Sequence, residues 1–361
     1  MQAIGAVLVG FAAQAAALAA ALWLAPVGRP ANRALAPALV VMAGMTLPYV
    51  LGWTGLPDVG PRLAFLPVSL PLALGPLVYA YVHATATGKP PPRLWLHLLP
   101  AAAQLAYLAG LSLAPEAVRI GWKETAHDDA VKPLTEAAVA ISLTAYSVAG
   151  LRLLARYRRW LAGARSDADL YGARWLGRVL GGLIATAAAI TALRLHTFTV
   201  GELDTGPLQL WLAGVGAYLG IEGWRHAERP FPAMQAEPPA DMARPRKDWA
   251  ALGAKWRDAT LEAGWWREPD LTLAELARRL GTNTGHLSRA VNEGLGVNFA
   301  ELINRMRAEA VAARLRQDGD SRGDLLAIAF ETGFSSKASF NRAFRAAFGV
   351  SPSEFRRRLR S

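Results

Sequence analysis

Stretches of about 20 apolar residues, the length that crosses a bilayer as a helix, recur about seven times before Trp224. Nothing else constrains the fold as tightly. A backbone surrounded by hydrocarbon must satisfy its own N–H and C=O groups, and continuous apolar runs of this length do so as helices rather than as barrel strands. The stretches lie near Ala3–Ala25, Leu35–Trp53, Leu63–His83, Leu94–Leu113, Ala137–Leu154, Leu176–Leu195 and Pro207–Gly223. The first lacks a basic leading region and is too long for a secretory core, so it reads as an uncleaved span. The chain is 53% hydrophobic yet carries a net charge of +11. Both hold because apolar residues dominate up to Trp224 and charge concentrates after it. The absence of cysteine excludes disulfides, thiolate metal sites and cysteine nucleophiles.

Lys and Arg placement predicts the orientation. The loops after the first, third and fifth stretches are basic: Arg29 and Arg33; Lys89 and Arg93; then Arg152, Arg156, Arg158, Arg159, Arg165 and Arg174 against Asp167 and Asp169. The alternate loops are mixed or acidic: Asp58 with Arg62, the long segment Ala114 to Glu136, and Glu202 with Asp204. An N-terminus outside and a C-terminal domain in the cytoplasm follow. The arginines after the fifth stretch fit anionic lipid headgroups. A contact with the C-terminal domain is the sharper alternative. Tyr79, Tyr81, Trp95, Trp160, Trp175, Trp211 and Trp224 read as an interfacial aromatic belt.

No acidic residue falls mid-span, which counts against a proton-coupled carrier. The third stretch holds Pro67, Pro71, Gly75 and Pro76, a kinked packing helix or, less simply, the wall of a ligand cavity. His83 and His97 read as interfacial, and His127 beside Asp128 and Asp129 as part of a solvated outer loop. None of these implies a metal or cofactor. There is no HExxH and no GxSxG, so no enzyme is indicated.

After Trp224 the prolines 230, 232, 238, 239 and 245 rule out a continuous helix and predict a tether over 226–248. Two helix-turn-helix patterns follow. In the first, from Leu273 to Glu293, Thr272 and Glu275 form a capping box and Ala277 allows a close crossing. Gly281 makes the turn, Asn283 caps the second helix and Leu287 points inward. That leaves Thr284, Gly285, Ser288, Arg289 and Asn292 outward, with His286 read as a packing or phosphate-touching residue. The second, from Asp324 to Arg345, repeats the plan with Ala329, Gly333, Ser335 or Ser336 as cap, and Phe340 and Phe344 inward. Its turn is one residue longer. Lys337, Ala338, Asn341, Arg342 and Arg345 point outward.

Asn298 and Glu301 begin a connecting helix from Phe299 to Arg316, with Leu302, Ile303, Met306, Ala310, Ala313 and Leu315 expected inside. Its length of roughly 25–30 Å suits two reading helices set about one DNA turn apart. Ser351-Pro352-Ser353-Glu354 starts a last helix whose Arg356, Arg357, Arg358 and Arg360 suit phosphates.

The segments PDLTLAELARRLG, HLSR and IAFETGFSSKASFNRAFRAAFGVSPSEFRR resemble the DNA-binding module of the AraC/XylS family of bacterial regulators over about a hundred residues. The resemblance implies an all-helical module whose two recognition helices enter adjacent major grooves. It implies base-reading roles for Ser288 and Arg289, and for Lys337, Asn341 and Arg342. Gly285 stands where relatives often carry a larger contacting side chain, and Val291 and Asn292 replace an aromatic-basic pair. The first motif is therefore expected to read fewer bases. GPLVYAYVHATATGKPPPRLWLHLLP, from Gly75, and YRRWLAGARSDADLYGARWL, from Tyr157, look like the sensor part of membrane-bound members of that family.

The expected architecture is all-α. A polytopic membrane helix bundle over 1–225 senses a small-molecule, lipid or protein signal. The linker 226–248 leads to a double helix-turn-helix domain over 249–361, which binds double-stranded promoter DNA. A homodimer is compatible with paired half-sites. The competing reading is a transporter or scaffold whose C-terminal region docks to protein.

Overall fold

The computed structural model of the protein describes residues 2–53, 65–201, 203–228, 231–234, 248–317 and 324–360. Asp58, Arg62, Glu202 and most of the expected linker lie outside these residues. Among the described residues the secondary structure is helical, apart from one isolated antiparallel bridge between Arg165 and Thr272. The chain divides into two compact units. One is Met1–Ala155 with Arg174–Ala233, and the other is Arg156–Ala173 with Met234–Ser361.

The first unit opens with α1 (Gln2–Leu24) and α2 (Arg29–Trp53). It continues with α3 (Pro71–Thr87), the short α4 (Leu94–His97), α5 (Leu99–Leu113) and α6 (Glu116–Trp122). A widened π-helical stretch, Lys123–Val131, joins α6 to the 33-residue α7 (Lys132–Ala164), whose last turns belong to the second unit. Helices α8 (Arg174–Thr199) and α9 (Gly206–Arg225) complete it. Helix α1 packs on α2 and α9, α2 also packs on α3 and α9, and α8 packs on α9. The α9 contact is close because Gly216, Gly220 and Gly223 face α1 and α2. A Cβ at Gly216 would lie 2.6 Å from the Phe11 ring, and one at Gly223 would lie even nearer Leu35.

Four stretches of the described residues are long and apolar enough to cross a membrane: Ala3–Leu24, Arg29–Leu51, Glu116–Ala164 and Ala168–Thr199. The expectation of about seven spans is thus resolved only to these four. Their outward faces keep large apolar side chains, with Val7 56%, Ile141 69% and Leu195 65% exposed. A helix apolar all round is built for a nonaqueous environment or a large core.

Several expectations are corrected. Leu63 lies outside the described residues, and from Phe65 to Leu70 the third stretch is not helical. Its helix starts at Pro71, where proline's missing N–H costs nothing in the first turn. At Gly75 the favoured packing reading fits, since a Cβ there would lie only 2.9 Å from the Ser142 hydroxyl and 3.0 Å from the Tyr146 ring of α7. A surface cleft lies instead between α8 and α9, lined by Ala189, Leu193, Asp204, Leu208 and Trp211. The fourth stretch is broken at Leu98, because Pro100 lacks the N–H that would continue α4.

The long outer loop is helical from Glu116 onward. There the His127 ring stacks on Tyr107 and its Nδ1 hydrogen-bonds the Tyr107 hydroxyl at 2.8 Å, so this histidine is not a freely solvated loop residue. His83 contacts the Lys89 carbonyl and His97 the Tyr146 hydroxyl. Of the aromatic belt, Trp95, Trp211 and Trp224 are exposed, whereas Tyr81 and Trp175 are buried against each other.

Gly44 on α2 carries the sharpest steric constraint in this unit, since a Cβ there would meet the backbone carbonyl of Val68. Gly214 on α9 faces open space. Gly44→Ala is expected to lower the stability of the purified full chain by roughly 1–3 kcal/mol. Gly214→Ala should leave it unchanged or slightly raised, both read by thermal melting.

Candidate nucleic-acid interface

The second unit is built on one rod. Helix α10 (Trp249–Glu262), a short 3-10 turn at Trp265–Arg267, α11 (Leu273–Arg279) and α12 (Thr284–Arg289) precede α13 (Phe299–Gln317). After it come α14 (Leu325–Glu331), α15 (Lys337–Phe348) and α16 (Pro352–Arg360). The first half of α13 supplies Phe299, Leu302, Ile303 and Met306 to a core completed by Trp266, Leu271, Leu276, Ala277, Leu287 and Val291. The second half supplies Ala308, Val311, Ala312 and Leu315 to a core completed by Ile328, Ala329, Phe334, Phe340 and Phe344. Ala313, expected inside, is exposed, and Ala310 only borders the first core. The apolar stripe runs through Val311 and Ala312 instead, following the 3.6-residue period from Ala308 to Leu315.

Arg307 sits where the two cores meet, and it is 1% exposed. Its guanidinium donates to the carbonyls of Trp266 and Glu268, to the Asn304 side chain at 3.0 Å and to the Ser166 hydroxyl at 3.1 Å. Burial pulls its pKa down to about 10, a shift opposed by the charges of Asp167 and Asp270, so it remains protonated at neutral pH. Sequence reasoning passed over this residue. The one available signal was an arginine falling on the buried face of the α13 helical wheel.

The caps hold each reading helix in place. The Thr272 hydroxyl accepts the Glu275 amide at 3.1 Å, and Asn283 accepts the His286 amide at 2.8 Å. Asn298 and Glu301 complete a reciprocal box at the start of α13. Glu275 does not return a bond to its cap. It accepts hydrogen bonds from Arg278 and Arg279, and these bonds, aided by the two charges, hold its carboxyl down at about 2. In the second motif Ser336, not Ser335, caps α15 by accepting the Ser339 amide at 3.1 Å. Ser351 accepts the Glu354 amide at the start of α16.

Gly281 and Gly333 make the turns with φ of 67° and 93°. The extra residue of the second turn leaves room for Phe334, buried and packed 5.3 Å from the Phe340 ring.

The two reading helices differ. Helix α12 has six α-helical residues and then widens into a π-helical turn, Ala290–Gly294. The backbone of α10 presses there. A Cβ at Gly253 would lie 2.6 Å from the Ala290 carbonyl, and one at Gly294 would strike the Trp249 carbonyl. Asn292 therefore lies on the widened turn and bonds Ser288 at 3.2 Å. Arg289 leans over the Trp249 ring at 5.9 Å and approaches Glu293 at 3.9 Å. Thr284 and Gly285 lie in its first turn, half-buried and exposed respectively, and His286 packs on Trp249 at 5.8 Å.

Helix α15 is regular over 12 residues, with Phe340 and Phe344 buried and Lys337, Ala338, Asn341, Arg342 and Arg345 all exposed. Arg342 is ion-paired with Asp169. The exposed cationic face that suits a polyanion is thus better developed on the second helix than on the first.

Two arginines of the fifth-to-sixth loop, Arg158 and Arg165, are engaged within this unit. Arg158 donates to the Gly172 carbonyl at 2.7 Å, and Arg165 forms a two-point pair with Asp167 at 2.7 and 2.9 Å. These donors are thus taken up by loop carbonyls and a carboxylate.

A family described as helix-turn-helix domain matches residues 276–358. The family match falls within this unit. An uncharacterized HTH-type transcriptional regulator of Staphylococcus aureus strain MSSA476 is 37% identical over 87 residues, 24% of this chain and 11% of that protein. The uncharacterized HTH-type transcriptional regulator YtdP of Bacillus subtilis strain 168 is 30% identical over 94 residues, 26% of this chain and 12% of that protein. The chain thus spans about a tenth of the length of these curated relatives. No solved structure matches it significantly. The C-terminal part carries an AraC-type helix-turn-helix domain, of the kind found in transcriptional regulators.

Gly333→Ala combines a left-handed φ with a Cβ placed 2.3 Å from the Arg267 carbonyl oxygen. It is expected to cost roughly 2–3 kcal/mol in urea unfolding of this unit, whereas Ser336→Ala should cost only about 1 kcal/mol.

Proposed function

We propose that this chain is a membrane-embedded, sequence-specific regulator of bacterial transcription, with its C-terminal unit in the cytoplasm reading promoter DNA. The observation that carries this reading is α15, a capped, regular helix on a phenylalanine core that exposes Lys337, Asn341, Arg342 and Arg345 together. Arginine and lysine reach guanine O6 and N7 in the major groove, asparagine pairs with adenine, and both cations also neutralise phosphates. Helix α12, six residues long and with Arg289 resting on Trp249, is the lesser reader. The α13 rod, about 28 Å at 1.5 Å per residue, carries both motifs in a single chain.

Membrane embedding is supported by the four long apolar helical stretches and their exposed apolar faces. The alternation of basic and mixed loops supports the orientation. The signal is a small molecule, a lipid or a protein partner acting on the membrane part. It changes DNA binding only through unequal affinity for two arrangements of that part.

The full chain in lipid nanodiscs is expected to select a duplex from a random pool and to bind it with a steep salt dependence. Arg342→Ala should weaken that binding by about tenfold or more, since a good base contact is worth roughly 1–3 kcal/mol. Arg289→Ala should weaken it less. Unchanged binding in the double variant removes the assignment of these residues. A topology reporter after Ser361 should be active in the cytoplasm, and periplasmic activity overturns the whole reading.

A further inference from the structure

The second unit contains a segment from far outside the helix-turn-helix domain, residues 156–173. It is bonded into the domain at several points. The Ser166 amide donates to the Leu271 carbonyl at 3.1 Å, and its carbonyl accepts the Asn304 side chain at 3.1 Å. Its hydroxyl accepts from the buried Arg307 at 3.1 Å. Arg165 pairs with Thr272, the cap of α11. Ser166 and Asp167 are both buried. The domain therefore satisfies its buried arginine partly with a side chain from this segment.

One 3-10 turn further on, Ala168–Tyr171, the carboxylate of Asp169 meets the guanidinium of Arg342 on the exposed face of α15. The pair is only half-covered, with the side chains 34% and 45% exposed. A carboxylate and a phosphate or guanine edge present a guanidinium with the same kind of acceptor.

We propose that the segment Arg165–Tyr171 is an intramolecular ligand of the DNA-reading surface: Asp169 occupies Arg342, and the segment and duplex DNA compete for α15. The inference rests on the DNA-binding reading above and adds its regulation. Ser166 anchors the segment on α13, so Asp169 is held at Arg342 without the ordering cost that a free acidic loop would meet. The segment is also the covalent link between α7 and α8. A signal that shifts the ends of those helices acts directly on the contact, withdrawing the carboxylate and freeing the reader, or the reverse.

The test is a double-mutant cycle on the full chain in lipid nanodiscs. The probe is a fluorescent duplex of roughly 40 base pairs, selected from a random pool by the same protein and long enough for two successive grooves. Asp169→Asn is expected to tighten binding about two- to fivefold, the range of a half-exposed ion pair. The same change in an Arg342→Ala background should have no effect. Asp169→Ala serves as a second variant with the same expectation, and circular dichroism checks that each variant is folded.

Tightening that is equal in both backgrounds reflects only lost negative charge and overturns the inference. No tightening in either Asp169 variant, with binding still weakened by Arg342→Ala, overturns it too while leaving the DNA reading intact. If neither the native chain nor any variant binds duplex, the DNA reading itself falls.

Discussion

The C-terminal unit depends on α13 serving two cores at once. Its first two turns close the first helix-turn-helix and its last turns close the second. The two readers are fixed to one rigid element, and neither can reorient without opening a core. Arg307, at the junction, bonds the carbonyls of Trp266 and Glu268 just before the first motif. A buried cation with neutral partners is expensive to strand, so those carbonyls and the arginine hold each other in place. The caps at Asn283, Asn298 and Ser336 then fix where each helix starts.

Against this shared frame the two motifs diverge for a local reason. Glycines 253 and 294 let the backbone of α10 press on the end of the first reading helix, and the helix widens there. The cost is regularity at the positions where side chains would reach a groove. Among the described residues the end of the second reading helix meets no such close backbone, since a Cβ at Gly349 would find nothing within 4 Å. The second motif's longer turn admits Phe334, and the linked rings of Phe340, Phe344, Phe348 and Phe355 support a straight helix. An asymmetry in helix regularity follows from packing. The glycine at 285, on the first motif's surface, points the same way.

Much of this unit is legible in the sequence because its signals are local. Capping residues, turn glycines and the period of Leu276, Leu287, Phe340 and Phe344 act within a few residues of one another. The apolar first unit is less legible. Hydropathy locates apolar stretches but not the breaks within them. The start of α3 at Pro71 and the interruption at Leu98 depend on single prolines inside apolar runs. The helical continuation through Lys123–Val131 crosses a polar segment that composition marks as a loop.

By itself the sequence determined the class of the chain: apolar helices first, then a capped pair of helix-turn-helix motifs with a defined outward face on each. Those properties follow from periodicity and from bonds spanning three or four residues. Tertiary structure alone decided what those faces meet. Ser166 and Arg307 are 141 positions apart along the chain yet share a hydrogen bond, and Asp169 finds Arg342 across a similar gap. Such contacts leave no periodic trace in a sequence, because each depends on where two distant elements come to rest.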